Sequence, residues 1–170
     1  MNLEELRHLV GDGESEKLEL KKSTGDLKGG LETLCAFLNA NGGKVLFGVT
    51  AGGRIRGQNV TDNTVQEIAR ELRRLEPAAD VLQMRVPVSA DSEVIVLETA
   101  IRSDAPYTYR GRPYRRIGTT TSLMPQTEYE RRLLERGHSP KRFSLPIRSA
   151  VCEWPGSRER QRRIFWTSAN

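Results

Sequence analysis

Cysteine and histidine are scarce: Cys35 and Cys152, and His8 and His138, are the only two of each in 170 residues. No CxxC motif or Cys/His cluster surrounds them, which excludes a disulfide scaffold or a zinc module. A Ser-His-Asp triad would have to draw on a terminal helix or on the last segment of the chain. Long apolar runs are also missing. The longest, near Val45 to Val49 and Val94 to Leu97, fall far short of a bilayer span. Met1 to Val10 carries Glu4 and Glu5 and no signal-peptide core. These absences read as a reducing, cytoplasmic protein with no membrane partner. Nucleotide loops are absent too. Around Gly43-Lys44 the first P-loop position is Leu38 and the last is Val45, and Gly52, Gly53 and Gly57 are wrongly spaced for G-x-G-x-x-G.

What is present begins with charge. The chain has a formal net charge of +5 and a pI near 9.5, a balance that suggests nucleic acid or another acidic partner. The excess is local. Residues 1–137 hold 20 Lys+Arg against 20 Asp+Glu, while residues 138–170 hold 7 against 2.

Hydrophobic periodicity predicts the elements. Leu3, Leu6, Leu9 and Val10 mark a short helix ended by Gly11-Asp12-Gly13, and alternation over Lys17 to Lys21 marks a half-buried strand. Leu27 to Leu38 repeats at three and four residues and stops at Asn41-Gly42-Gly43. Lys44 to Val49 reads as a strand turning through Gly52-Gly53 into Arg54-Ile55-Arg56 as a hairpin. A helix from Thr61 to Leu75 follows, with a capping box at Thr64 to Glu67 or a cap at Thr61-Asp62. Val81 to Val88, Glu93 to Ile101, and the pair Tyr107 to Arg110 and Pro113 to Ile117 hinged at Gly111 are strands, and Gln126 to Arg136 is a last helix. The order predicts an α+β fold, a mixed, mostly antiparallel curved sheet covered by helices. Residues 1–137 read as one domain. Residues 138–170, with Pro140, Pro146 and Pro155 and neither period, read as a flexible basic tail.

Three stretches carry chemistry. In Gly13 to Lys22, a strand would project Glu19 and Lys21 from one face, with Glu14 folding back beside them. Two carboxylates beside a lysine suit a divalent cation next to a phosphodiester. They equally suit an exposed strand face of alternating, salt-bridged charge. In Tyr107 to Gly118, Arg110, Arg112, Arg115 and Arg116 accompany Tyr107, Tyr109 and Tyr114 without an acid. Such a hairpin sets guanidinium groups on phosphates and rings under bases. Alternatively its tyrosines pack on the core and its arginines pair with Glu128, Glu130 and Glu135. In the tail, Arg158, Arg160, Arg162 and Arg163 beside Ile164-Phe165-Trp166 suit an anionic surface or a solvated terminus.

The successive blocks GESEKLELK, LCAFLNANGGKVLFGVTAGGRIRG and APYTYRGRPYRRIGTTTSLMPQTEYERRLLER resemble the Schlafen AlbA_2 domain, over about residues 10–137. This module occurs in prokaryotic transcriptional regulators and in the core of animal Schlafen proteins. The resemblance implies a curved sheet with helices and a DNA-binding role; the leading reading is a nucleic-acid-binding module gripping phosphates with Lys21, Lys22, Arg110, Arg112, Arg115 and Arg116. In several animal Schlafens the related core is a metal-dependent endoribonuclease for structured RNA such as tRNA, using three acids. On that alternative Glu14 and Glu19 match the first two acids and would hold Mg²⁺ or Mn²⁺, with Lys21 beside them. The third acid would follow FGV, where Thr50-Ala51 stands, and Asp104 or Asp12 would have to substitute. A second wall is expected from a homodimer. A third reading is a degenerate dimerising module without ligand. Longer relatives continue into an ATPase-like region and a winged helix. The last 33 residues here match neither, so the chain reads as a truncated or stand-alone version and no ATP-related activity is expected.

Overall fold

The computed structural model describes residues 1–11, 13–101 and 104–137. The tail reading therefore lies outside the described residues.

Thirteen elements follow in order: α1 (Leu3–Gly11), β1 (Leu18–Lys21), a 3-10 turn (Thr24–Asp26), α2 (Leu27–Leu38), β2 (Gly43–Phe47), α3 (Asp62–Leu72), β3 (Leu75–Glu76), β4 (Leu82–Ser89), β5 (Ser92–Thr99), β6 (Thr108–Tyr109), β7 (Arg112–Ile117), β8 (Thr120–Leu123) and α4 (Gln126–Gly137). They build two four-stranded sheets, β1-β2-β5-β4 and β3-β6-β7-β8. Every pair is antiparallel except β1 with β2. The α+β expectation with a mostly antiparallel sheet holds, although the strands divide between two sheets.

Helix α2 lies between them. Its buried residues run around the helix, from Leu27, Leu31 and Leu34 to Cys35, Phe37 and Leu38, the mark of a helix enclosed on several sides. They pack on Val45, Phe47, Ile95 and Leu97 of the first sheet and on Tyr107, Tyr109 and Tyr114 of the second. Each fully buried leucine contributes about 2 kcal/mol of apolar burial. Gly30 marks the crossing over β2: a Cβ there would stand 2.4 Å from the Phe47 ring. The Asp26 carboxylate caps α2 by accepting the Gly29 N–H. On the far face of the first sheet, Leu6 and Val10 of α1 pack with Leu18, Leu20, Leu46, Val94 and Val96. The alternation of β1 thus points Leu18 and Leu20 toward α1 and Glu19 and Lys21 toward the α2 side.

Two expectations are corrected. β2 and Arg54-Ile55-Arg56 do not form a ladder, because β1 and β5 already pair with both edges of β2; the returning segment instead pairs beyond the end of β2, through a Val49–Ile55 bridge and bonds to Gly48 and Thr50. The helix expected to run to Leu75 ends at Leu72, and Leu75 instead begins β3 against Tyr109. Its cap is Thr61, as the second of the two expected starts had it, boxed with Thr64 in place of Thr64 with Glu67.

Candidate nucleic-acid interface

The β6–β7 hairpin turns on two residues, Arg110 (φ 51°) and Gly111 (φ 74°). Both φ angles are positive, as a tight hairpin turn of matching twist requires. The tyrosines face inward: Tyr107 and Tyr109 are 1% exposed and Tyr114 8%. The Tyr114 hydroxyl donates to Glu32 and the Tyr109 hydroxyl to Glu71, at 3.0 and 2.6 Å. At the C-terminal end of α2, the Asn39 side chain accepts the Tyr107 N–H and donates to the Tyr107 and Tyr114 carbonyls. This clamp satisfies both backbone groups of Tyr107, just before β6, and one carbonyl of β7. Stacking under bases is therefore ruled out for the tyrosines, which belong to the core.

The four arginines separate. Arg116 points between the sheets with its side chain 3% exposed. It donates to Thr121 and to the carbonyls of Ser15 and Leu18, and its guanidinium lies 5.3 Å from the Phe37 ring centre. Arg115 pairs with Glu128 of α4 at 2.8 Å, and Glu128 also holds Arg132. Of the three acids suggested for the hairpin arginines, only Glu128 is used; Glu130 accepts from Gln126 and Glu135 pairs with Arg131. Arg112 is exposed, and no ion pair engages it among the described residues.

Arg110 reaches α3. Its Nη2 lies 2.8 Å from Glu71, and Arg74 holds the other oxygen of the same carboxylate at 3.3 Å. The Arg110 guanidinium also stands 5.5 Å from the Tyr109 ring centre, within cation–π range. Glu71 is itself buried. Burial pushes its carboxyl upward, but Tyr109, Arg110 and Arg74 outweigh this and hold it below the ordinary range. Burial and the adjacent carboxylate together raise the Tyr109 phenol. One sunken anion thus fixes two arginines that remain 40% and 48% exposed, with exposed Arg70 on α3 and exposed Arg73 at its C-cap. Glu71 and Arg74 escaped the sequence reading. Their signal was the helical spacing of Arg70, Arg73 and Arg74 around a single acid.

The acid pair has a different setting. The Glu19 carboxylate lies 3.0 Å from the Lys21 ammonium and 2.7 Å from Arg116, and Lys21 also reaches Asp26 at 3.0 Å. Burial works to lower the Lys21 pKa, but Asp26 and Glu19 raise it overall, so this cation is firmly held. Glu14 folds back beside β1 as expected and accepts the Leu20 N–H at 3.3 Å. Together with Ser15, whose N–H donates to the Leu18 carbonyl, and with Arg116, it closes the outer edge of β1. These residues do not fit a divalent cation: Glu19 is neutralised by two internal cations, Glu14 is spent on backbone, and no group of three metal-ligating side chains occurs among the described residues. Asp104 is exposed and Asp12 lies outside the described residues. Lys22, next to Lys21, is exposed.

No helix among the described residues is long and apolar enough to cross a membrane. No curated protein matches the chain. Among solved structures, the DIP2311 protein from Corynebacterium diphtheriae is similar at 18% identity and a TM-score of 0.50 over 79% of this chain. The chain spans only 28% of that protein's length. The N-terminal domain of a RecG-related protein from Nitrosomonas europaea is similar at 22% identity and a TM-score of 0.50, over 72% of this chain and 94% of that domain. Both likenesses concern the fold. The family model for Schlafen, AlbA_2 matches residues 14–125, a span running from Glu14 through both sheets to the start of α4, and the chain accordingly belongs to the Schlafen AlbA_2 family.

Proposed function

We propose that the chain is a nucleic-acid-binding module that grips phosphates, with duplex DNA as its partner in a regulatory setting. The observation that carries this reading is the arginine cluster at the end of α3 and the β6–β7 turn, where Glu71 anchors Arg74 and Arg110 and leaves both half exposed beside Arg112. Guanidinium groups held in place lose little freedom on meeting a phosphate, and their attraction to it weakens steeply with salt. The RecG-related neighbour, from a protein named for ATP-dependent DNA helicases, and the family itself support the same direction. Within the expected set, Arg110 and Arg112 are the hairpin residues placed for contact, while Arg116 serves the interior. The nuclease alternative asks Glu19 to share a metal, and its pairing with Lys21 and Arg116 favours the binding reading instead. Pairing into a homodimer belongs to the proposal as the source of a second wall, and sedimentation of the pure chain tests it.

Fluorescence anisotropy with labelled duplex DNA tests the main reading. Affinity should fall at least tenfold between about 50 and 200 mM salt, and Arg110→Ala with Arg112→Ala should weaken it further at every salt concentration. Affinity indifferent to salt would sink the proposal.

A further inference from the structure

We infer that the loop Thr50–Gly57 is a second phosphate-contacting surface, recognising the sugar-phosphate backbone of the same nucleic acid through Arg54 and Arg56. This rests on the binding reading. Between Glu32 and Asp62 the sequence contains no acid, yet it includes Lys44, Arg54 and Arg56. Lys44 pairs with Glu98 of β5, whereas Arg54 and Arg56 are exposed with no ion pair among the described residues.

The loop is built rather than slack. Thr50 N–H donates to the Arg54 carbonyl and Gly53 N–H to the Thr50 carbonyl, while Arg56 and Gly57 N–H groups both donate to the Gly48 carbonyl. The Arg54 N–H also donates to the Thr50 hydroxyl. Gly53 has φ +77°, and a Cβ on it would lie 2.7 Å from the Val10 carbonyl oxygen, so the loop presses against the end of α1. Gln58 exchanges two backbone bonds with Glu93, and its side chain accepts the Thr24 N–H at 2.8 Å. Ile55, bridged to Val49, packs inward on the α1-side core. Its two neighbours therefore point the other way, and Arg54 and Arg56 are both exposed.

Two residues of extended chain separate these arginines by about 6.6 Å, so one strand of phosphates meets both. The loop is anchored at its root, where the Lys21 carbonyl accepts the Gly48 and Val49 N–H groups. Two acids on adjoining segments are already engaged: Asp26 with Lys21 and the Gly29 N–H, and Glu93 with Arg85 at 2.6 Å. A pair of cations preset by backbone bonds, with inward Ile55 fixing their direction, loses less order on binding than arginines on a free loop.

The test is anisotropy of labelled duplex DNA with the full chain over a salt series, comparing wild type, Arg54→Ala with Arg56→Ala, and Arg110→Ala with Arg112→Ala. Removing two phosphate contacts should lower the slope of log affinity against log salt by about 1.8, with the melting temperature unchanged because both side chains are solvent-facing. An unchanged slope in the loop variant, alongside a loss in the hairpin variant, would overturn this inference and leave the binding reading intact. A wild-type chain with no affinity for duplex DNA would overturn both. Equal loop-dependent binding to vesicles of anionic lipid would assign the surface to a membrane and overturn the partner named here.

Discussion

The Glu19 carboxylate lies 2.7 Å from the Arg116 guanidinium, and this contact ties the edge strand of one sheet to β7 of the other. Adjacent in sequence, Arg115 and Arg116 face opposite layers: Arg115 meets α4, while Arg116 spans the space beside α2 with its flat face near Phe37. A residue that looks like a phosphate grip in the sequence is an internal strut in the fold.

Arg116→Met should therefore act on stability. It strips Glu19 of one of its two counter-cations and takes a donor from the carbonyls of Ser15 and Leu18, at an expected cost of about 3 kcal/mol. Arg110→Ala, which removes a half-exposed group and leaves Glu71 with Tyr109 and Arg74, should cost far less. Urea unfolding of the two variants reads the contrast. Equal losses would show that Arg110 and Arg116 do not divide the roles assigned to them.

Glu71 makes stability depend on acid. Its folded carboxyl titrates below its ordinary value of 4.5 because Tyr109, Arg110 and Arg74 outweigh burial. A carboxyl shifted downward by folding contributes stability that is fully present above the unfolded value and is lost as the pH falls through the folded value. Melting temperature should consequently drop as the pH falls below about 4.5, and Glu71→Gln should flatten part of that drop while lowering stability at neutral pH. Thermal melts between about pH 3 and pH 7 measure both; parallel curves for wild type and variant would remove Glu71 from the account.

Cys35 should resist thiol reagents in the native protein. Fully buried on α2, its thiol is pushed up to about 12, chiefly by burial, so almost no thiolate exists at neutral pH. Iodoacetamide followed by peptide mass mapping should leave Cys35 unmodified until denaturant is added. Modification at the native rate of a free thiol would mean that α2 opens readily.

Deleting residues 138–170 addresses the seven tail cations directly. Binding by the folded body predicts a shallower salt dependence with measurable affinity remaining. Complete loss in anisotropy would move the binding surface into the tail.

Much of this arrangement was written locally in the chain. The turn at Gly111 marked the β6–β7 hairpin, the alternation over Leu18 to Lys21 put Glu19 and Lys21 on one face, and the repeat of Leu27 to Leu38 defined α2. What local pattern could not carry was which partner each edge and face would meet. β2 looked like half of a hairpin because Gly52-Gly53 supplied a turn, yet its unbroken apolar run was that of a central strand with both edges occupied. In β7, alternation separates Arg115 from Arg116 but does not say which is inward, since one face meets α2 and the other α4. Two-residue strands such as Leu75–Glu76 have no period to read. Glu71 looked like one acid among arginines on a polar helix, and only the long-range approach of Tyr109 gives it a role.

The enclosure of α2 has a consequence for how the body comes apart. Because one helix supplies the inner wall for both sheets, its loss wets the facing side of each and leaves the first sheet only its α1 side dry. Local opening is therefore confined to the periphery, at α1 or α4, and loss of α2 is loss of the whole. Amide hydrogens of Leu31 to Leu38 should exchange at the slowest rate in the molecule, together with those of β2 and β5, as one cooperative unit.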